Sequence, residues 1–241
     1  MTPVLFSGGY KPPQGWDVVV TAEDLSGRYG LRALGRERLR DLLNDLDIPF
    51  EDATSLAEGM IRIMNPDPTR NERGFRDDLP GAPDHPGQDF VDLRLVPGFA
   101  KAFLNEDGTP NSRLENFIGC VSILGDTIKP NLNSASEPML QHLMKRGAIA
   151  DANALARWLS GRDGIRGTED DRHAMTVEDF DVSGGGVMDR TVVTTVTRVK
   201  IHAQVRFGEG VFSLTVVADP TSQSRGFPWK ILNQLENEDP R

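Results

Sequence analysis

A short extended segment that leads directly into a capped helix occurs twice in this sequence. In the second copy the extended segment is 128–132, Asn133 or Ser134 can cap the helix that follows, and Glu137 lies at the capping-box position relative to Ser134. In the first copy, 18–31, a valine-rich strand runs into an acidic turn and then a leucine that opens a helix. A chain with this design is expected to fold around repeated helical units.

Apolar positions in both copies recur three or four residues apart, which predicts amphipathic helices. Equivalent positions keep a nearly constant separation: 101 residues for Leu31 with Leu132 and for Leu39 with Leu140, and 99 residues for Asp52-Ala53 with Asp151-Ala152. Each copy therefore predicts a helix, a short turn and a second helix, in the manner of a helix-hairpin-helix unit. Two unrelated amphipathic helix pairs can also align by chance, so the duplication is a hypothesis.

The last part of the chain has the alternating polarity of β-strands. Residues 190–207 and 210–218 are rich in Val, Thr, Ile and Phe and are joined by a glycine-containing turn, which predicts a hairpin. Segment 229–235 can add a third strand, and 16–22 forms the first convincing strand of the chain. The predicted fold class is therefore α+β, an antiparallel sheet with helices inserted between its strands.

Two segments between the helical units have patterns of their own. Segment 89–99 predicts a short helix that ends in a Pro-Gly turn, with another helix through Leu104. Segment 114–124 has the pattern of a strand, which places Cys120 as a buried structural thiol. Because Cys120 is the single cysteine, an internal disulfide and a cysteine-based zinc site are excluded.

Charge and motif content exclude several functional classes. A net charge of −9 with scattered basic residues makes nucleic acid a poor partner, and no apolar run approaches the roughly 20 residues that span a membrane. The sequence contains no Gly-x-Ser-x-Gly motif, no phosphate-binding glycine loop and no nucleophile-base pair. The histidines, which are far apart in sequence, are expected to be surface or satisfied side chains: His85, His142, His173 and His202. We therefore expect a protein that is not an enzyme.

With these pieces in place, the chain resembles the minor pseudopilins of type II secretion called general secretion pathway protein K. The family's Asn-Leu-Asn-Thr-Ala-Ser step is matched closely by a run that continues into Ser136: Asn131, Leu132, Asn133, Ser134 and Ala135. Its earlier step is matched loosely by 23–31, and 93–99 resembles its helical-insertion turn. The resemblance implies a pilin-like antiparallel sheet with an inserted helical domain built of two helix-hairpin-helix-like units.

The resemblance also implies a division of the chain and a role. The expected parts are 1–30 as N-terminal segment and first strand, 31–113 as inserted helical domain, 114–132 as return strand, 133–182 as second helical unit and 183–241 as C-terminal sheet. The implied role is to cap the tip of the pseudopilus in the periplasm, in a complex with minor pseudopilins I and J. Attachment to the inner membrane is expected only through an N-terminal apolar helix that this sequence does not show.

Members of this family hold calcium in acidic loops, and oxygen-only ligands suit Ca²⁺. The resemblance therefore implies Ca²⁺ ligands in the first loop at Asn65, Asp67 and Glu72, and in the second loop at Asp163, Thr168, Asp170 and Asp171. Neither loop has the spacing of an EF-hand, and both can also be read as solvated acidic turns.

A DNA-binding helix-hairpin-helix module of the competence-protein type is the alternative. The Asn-Leu-Asn-Ser-Ala step also occurs in such proteins, and 96–99 resembles their hairpin. That hairpin needs a Gly-x-Gly whose amides reach a phosphate, with Lys or Arg beside it. Ala100 stands where the second glycine belongs, which argues against this alternative.

Overall fold

A computed structural model describes residues 14–64, 90–184, 186–187, 191–208, 210–221 and 230–238. The helices are α1 (Arg36–Asp45), α2 (Phe50–Met64), α3 (Phe99–Phe103), α4 (Ser112–Cys120), α5 (Glu137–Lys145) and α6 (Ala152–Leu159). The strands are β1 (Trp16–Asp24), β2 (Tyr29–Gly30), β3 (Val121–Ser122), β4 (Val199–Phe207), β5 (Gly210–Asp219) and β6 (Lys230–Glu238). Short 3-10 turns are formed by Leu25–Gly27, Phe90–Leu95, Leu132–Ser134 and Glu178–Ser183.

The predicted antiparallel sheet is confirmed. Four strands lie in the order β1-β4-β5-β6, and every neighbouring pair is antiparallel. The first strand of the chain pairs with β4 over nine residues, from Trp16 opposite Phe207 to Asp24 opposite Val199. The hairpin between β4 and β5 and the third C-terminal strand β6 form as the alternation predicted. The fold class α+β is therefore correct.

One face of this sheet is apolar throughout its first three strands, apart from Asp24 at the end of β1. Because side chains alternate across a strand, the register places the following residues on this face, here called the apolar sheet face: Trp16, Val18, Val20, Ala22, Val199, Ile201, Ala203, Val205, Phe207, Phe212, Leu214, Val216 and Ala218. The other face is mixed and mainly polar, with Asp17, Thr21, Lys200, His202, Gln204, Arg206, Ser213 and Thr215 among its residues.

The hydrophobic core lies in the helical part of the molecule. It is built on the paired helices α1 with α2 and α5 with α6, together with the stacked rings of Phe99, Phe103 and Phe117, whose centroids are 4.8 and 5.2 Å apart. Val217 and Ala218 at the end of β5 are buried, but no side chain of β1, β4 or β5 joins this core among the described residues. A sheet normally buries one face against a second layer. The apolar sheet face has no such layer from the described helices.

The two helical pairs end their first helices in the same way. The amide of Asp47 donates to the carbonyl of Asn44 and the amide of Ile48 to that of Leu43, which is the hydrogen-bond pattern of a Schellman motif. One hundred residues later Gly147 and Ala148 make the equivalent bonds, to Met144 and Leu143. Asp47 and Gly147 both have positive φ, 60° and 70°. The predicted pair of helix-turn-helix units is thus present.

The strand predicted for 114–124 is wrong. Ser112–Cys120 is the helix α4, and only Val121 and Ser122 continue as a strand, parallel to β2. The side chain of Asn111 caps this helix by accepting from the amides of Arg113 and Leu114, and the buried residues Leu114, Phe117 and Cys120 are spaced by three, as on one helix face. The expected burial of Cys120 is confirmed, and that burial raises the pKa of its thiol to about 12.

The expectations around 128–134 also need correction. Segment 128–132 forms no strand, and Asn131 makes only an isolated bridge to Val193. Ser136, not Asn133 or Ser134, caps α5, because its hydroxyl accepts from the amide of Met139. Asn133 and Ser134 are occupied by other partners, which are described below.

The strand predicted to begin at 190 begins instead at Val199. The preceding segment runs along the helical part, where Val193 exchanges backbone hydrogen bonds with Pro130 and Leu132. The backbone groups of Val193 are therefore already satisfied outside the sheet.

Candidate functional site

The motif Asn131–Ala135 forms one half of a joint between the helical part and the sheet. The other half is the turn that follows β1. Each half is a 3-10 turn with the same construction: the side chain of Asp24 accepts from the amide of Ser26, and that of Asn131 accepts from the amide of Asn133. By this construction the counterpart of Leu132 is Leu25, not Leu31 as the alignment of the sequence suggested. We call the segments 24–27 and 131–135 together the paired-turn joint.

Asp24 holds the two halves together. One oxygen of its carboxylate, Oδ2, accepts from Asn131 Nδ2 at 2.9 Å and from Ser134 Oγ at 2.6 Å. The other, Oδ1, accepts from the amide of Ser26 at 2.8 Å. Asn131 is 1% exposed, and its backbone amide donates to the backbone carbonyl of Ser26 at 2.7 Å. The carboxylate at the end of β1 thus satisfies a buried amide side chain of the second turn.

Gly27 is required by how closely the two halves approach. A β-carbon on Gly27 would lie on the backbone carbonyl of Ser134 and against the amide of Ala135. Backbone atoms of a buried turn cannot move aside as a flexible side chain can. The glycine therefore sets the distance between the two turns.

Ser26 and Asn133 extend the joint to the C-terminal segment. The hydroxyl of Ser26 accepts from the amides of Thr197 at 2.7 Å and Arg198 at 3.0 Å, immediately before β4. Asn133 accepts from the amide of Ala174 at 2.8 Å and donates to its carbonyl at 2.9 Å. Each turn thus uses one side chain to fix a later segment of backbone, and the motif predicted from sequence is a structural connection.

The second acidic loop uses its carboxylates to close itself. Asp163 accepts from the amide of Ile165 at 2.8 Å, Asp171 accepts from that of Gly167 at 2.6 Å, and the hydroxyl of Thr168 donates to Asp170 at 2.9 Å. Hydrogen bonds from the Arg162 amide and from Thr168 lower the pKa of Asp170 below its usual range. The predicted ligand residues Asp163, Thr168, Asp170 and Asp171 therefore lie in one loop, engaged with its own donors.

In the described part of the chain no three His, Cys, Asp or Glu side chains come together as a metal site would require. The loop offers one buried carboxylate oxygen without a hydrogen-bond partner, Oδ1 of Asp171. Six to eight oxygens would be needed around Ca²⁺. The predicted ligands Asn65, Asp67 and Glu72 lie outside the described residues, so calcium stays a prediction.

A charged cluster, buried at His142 and exposed at Arg146, connects the first helices of the two helical pairs. Asp45 of α1 lies 2.8 Å from Nδ1 of His142 on α5, and Arg146 binds the same carboxylate through Nε at 2.7 Å and Nη2 at 2.9 Å. Burial lowers the pKa of His142, against the opposing charge of Asp45. This cluster was not found from sequence, because its members are about 100 residues apart and form no motif.

The cluster lies beside a cavity of about 760 Å³ between α4 and α5. The cavity lining includes His142 and Asp45 with Asn116, Glu137 and Lys145, and the close partner of the histidine there is the Asp45 carboxylate, not a hydroxyl or thiol nucleophile. His202 contacts Thr215 Oγ1 at 2.9 Å in the sheet, and His173 is exposed. The expectation of satisfied or surface histidines therefore fits His173 and His202, whereas His142 is buried and its Nδ1 makes no hydrogen bond despite its closeness to Asp45. His85 lies outside the described residues.

The apolar sheet face combines large apolar side chains with exposure. Trp16 is 44% exposed, Phe207 54% and Phe212 55%, and the rings of Trp16 and Phe207 lie 5.3 Å apart. Contiguous apolar surface of this kind commonly marks an interaction site. Within the described ranges, no helix has both the length and the apolar character needed to cross a bilayer.

Comparisons with known proteins identify a structural relative. No protein-family model matches the sequence, and no curated protein matches it. A solved chain similar to this one comes from the crystal structure of the GspK-GspI-GspJ complex of the enterotoxigenic Escherichia coli type 2 secretion system, with a TM-score of 0.60. The sequence identity is 13%, and the match covers 99% of this chain and 84% of that chain. At this identity the likeness establishes a shared fold.

Proposed function

We propose that this chain is the globular part of a type II secretion minor pseudopilin, a non-enzymatic subunit that caps the tip of the pseudopilus with minor pseudopilins I and J. The observation that carries the proposal is an antiparallel sheet with an apolar face lacking a helical layer among the described residues, in a chain whose fold matches one from a pseudopilin complex. An assembly subunit needs such a face, because packing against a neighbouring apolar helix completes its second layer.

The polar contents of the molecule agree with an assembly role. The joint residues Asp24, Asn131 and Ser134 hydrogen-bond to one another and do not present these groups to a cavity. They therefore fix the position of the sheet relative to the helical part. The helical part, which holds its own core, would face outward from the fibre. We further propose a periplasmic location, with membrane attachment through the apolar N-terminal helix that is typical of the family.

Co-expression with minor pseudopilins I and J tests the proposal. We expect the three proteins to co-purify in a fixed ratio. We expect Val205→Glu to weaken co-purification at least tenfold, because a carboxylate between Val18 and Phe212 on the apolar sheet face cannot be desolvated without a partner. The measurement is the ratio of the three proteins after affinity capture and size exclusion.

The matched control is Gln204→Glu, which adds a carboxylate at the neighbouring position on the other face of β4. It is expected to leave the complex intact. Absence of any complex with the wild-type chain, or equal loss with both variants that remain folded, would contradict the proposed docking face.

Calcium binding in the acidic loops remains part of the proposal through the family resemblance. If Ca²⁺ binds the folded chain, calcium at 100 times its Kd is expected to stabilise it by about 2.7 kcal/mol and to raise the Tm by about 5–10 °C, with reversal by a chelator. Asp171→Asn should reduce that shift if the second loop takes part, since Asp171 holds the free buried oxygen. A Tm that is the same in calcium and in chelator would contradict calcium binding by the folded chain.

A further inference from the structure

The sheet has two edges, and they differ in how they are protected. At the β6 edge, the pairing with β5 is interrupted by a bulge between Val217 and Ala218. Bulges are one of the devices by which proteins keep an edge strand from pairing with other chains. The β6 edge therefore has the features of a protected edge.

The β1 edge has no such bulge, and its charges lie only toward its ends, at Asp17, Glu23 and Asp24. Its register with β4 is unbroken over all nine residues, and 18–22, the centre of the strand, contains no charge, proline or glycine. Three consecutive valines with high strand propensity occupy this centre. An edge of this length and composition is a template for another strand.

The direction of the free backbone groups follows from one hydrogen bond. The amide of Leu25 donates to the carbonyl of Arg198 at 3.0 Å, which continues the β1–β4 register by one residue. Because amides alternate in direction along an antiparallel strand, Val19 and Thr21 face β4. Val18, Val20 and Ala22 then direct their N–H and C=O groups toward the open edge, where the described residues supply no further strand.

A second copy of this chain is a poor occupant of that edge. Antiparallel self-pairing centred on Val20 would place Asp17 opposite Glu23 and Trp16 opposite Asp24. Like charges directly opposite in a strand pair are destabilising. Glu23 already pairs with Arg28 at 2.8 Å, so a strand from another protein gains most by placing a basic residue opposite the exposed Asp17. Such a strand can also continue the apolar sheet face at alternate positions.

We propose that the free edge of β1 is a docking site for an extended segment of a partner protein, which adds a fifth strand through the backbone groups of Val18, Val20 and Ala22. The side chains of that segment alternate between apolar and polar, with basic residues opposite the acidic ends of β1. This site uses the edge and not the face of the sheet, so it stands independently of the proposed pseudopilus role.

The probe is a blocked nine-residue peptide with valine at odd positions, threonine at positions 4 and 6, and lysine at positions 2 and 8. Isothermal titration calorimetry with the wild-type chain is expected to show binding. N-methylation of the peptide at positions 3, 5 and 7, whose amides would face β1, should weaken binding at least tenfold. N-methylation at positions 4 and 6, whose amides face away, should leave it within about threefold.

Variants of the protein supply the second arm. Val20→Pro removes an amide that faces the open edge, where proline is tolerated, and should weaken peptide binding at least tenfold with a nearly unchanged melting curve. Val20→Ala keeps that amide and should bind like the wild type. If Val20→Pro does not fold, the methylated peptides decide alone. No heat of binding to the wild type, or equal binding of the two methylated peptides, would overturn the proposal.

Discussion

Asp24→Ala is expected to lower the free energy of unfolding by about 4 kcal/mol. The substitution removes a carboxylate that accepts three hydrogen bonds, from Asn131, Ser134 and the amide of Ser26. Hydrogen bonds to charged groups contribute about 1.5–3 kcal/mol each, and the buried Asn131 side chain would be left without this partner. The loss should therefore exceed that of an ordinary surface substitution severalfold.

Urea denaturation followed by circular dichroism measures this loss. Asp17→Ala is the matched control, since it removes an exposed carboxylate from the same strand and should change stability by about 0.5 kcal/mol or less. A loss below about 1 kcal/mol for Asp24→Ala would mean that the two turns do not depend on each other. The paired-turn joint would then contribute little to the free energy of unfolding.

Gly27→Ala is expected to cost about 3 kcal/mol or to prevent folding. The added methyl group meets the backbone carbonyl of Ser134, so the two turns must separate, and the hydrogen bonds of Asp24 across the joint lengthen with them. Overpacking of a tight interior site typically costs about 1–3 kcal/mol, and here backbone must move. The same denaturation experiment, or the soluble yield if the variant does not fold, measures the effect.

Gly35→Ala is the control for this substitution. Gly35 precedes α1, and a methyl group on its α-carbon would meet no other atom within 4 Å. Its φ of −73° is one that alanine adopts freely. Its replacement should cost about 1 kcal/mol or less. Equal stabilities for the two variants would show that the turns are not in close contact.

Periodicity and alternation predicted most of the fold. The hairpin β4–β5 and the two helical pairs depend on local patterns of apolar residues, which the sequence displays directly. The strand predicted for 114–124 was wrong because a short apolar run fits the period of a helix as well as that of a strand. Here the side chain of Asn111 caps a helix, α4. Local patterns thus predicted elements well wherever length or a turn made the period unambiguous.

Contacts between distant residues could not be predicted in the same way. The motif Asn131–Ala135 was recognised as a sequence step, but its partner Asp24 lies more than 100 residues earlier and forms no motif with it. The cluster of Asp45, His142 and Arg146 is equally non-local. Acidic residues in the loop 161–171 suggested ligands, whereas the structure engages them with amides and a hydroxyl of the same loop.

The helix-hairpin-helix alternative finds no support in the arrangement around its proposed hairpin. Gly98 precedes α3 with a φ of 85°, and Phe99 is buried in the core. Ala102 is also buried, and Lys101 pairs with Asp52 at 2.9 Å. A phosphate-binding hairpin would instead present its amides beside free basic side chains.

Thiol labelling tests the central proposal, that minor pseudopilins I and J cover the apolar sheet face. Cys120 is buried with a raised thiol pKa, so a cysteine introduced by Val205→Cys or Gln204→Cys is the reactive one. We predict that both react with a thiol reagent in the isolated chain, and that only the Val205→Cys variant becomes protected in the complex with minor pseudopilins I and J. Equal reactivity of the Val205→Cys variant in the free chain and in a verified complex would contradict the account.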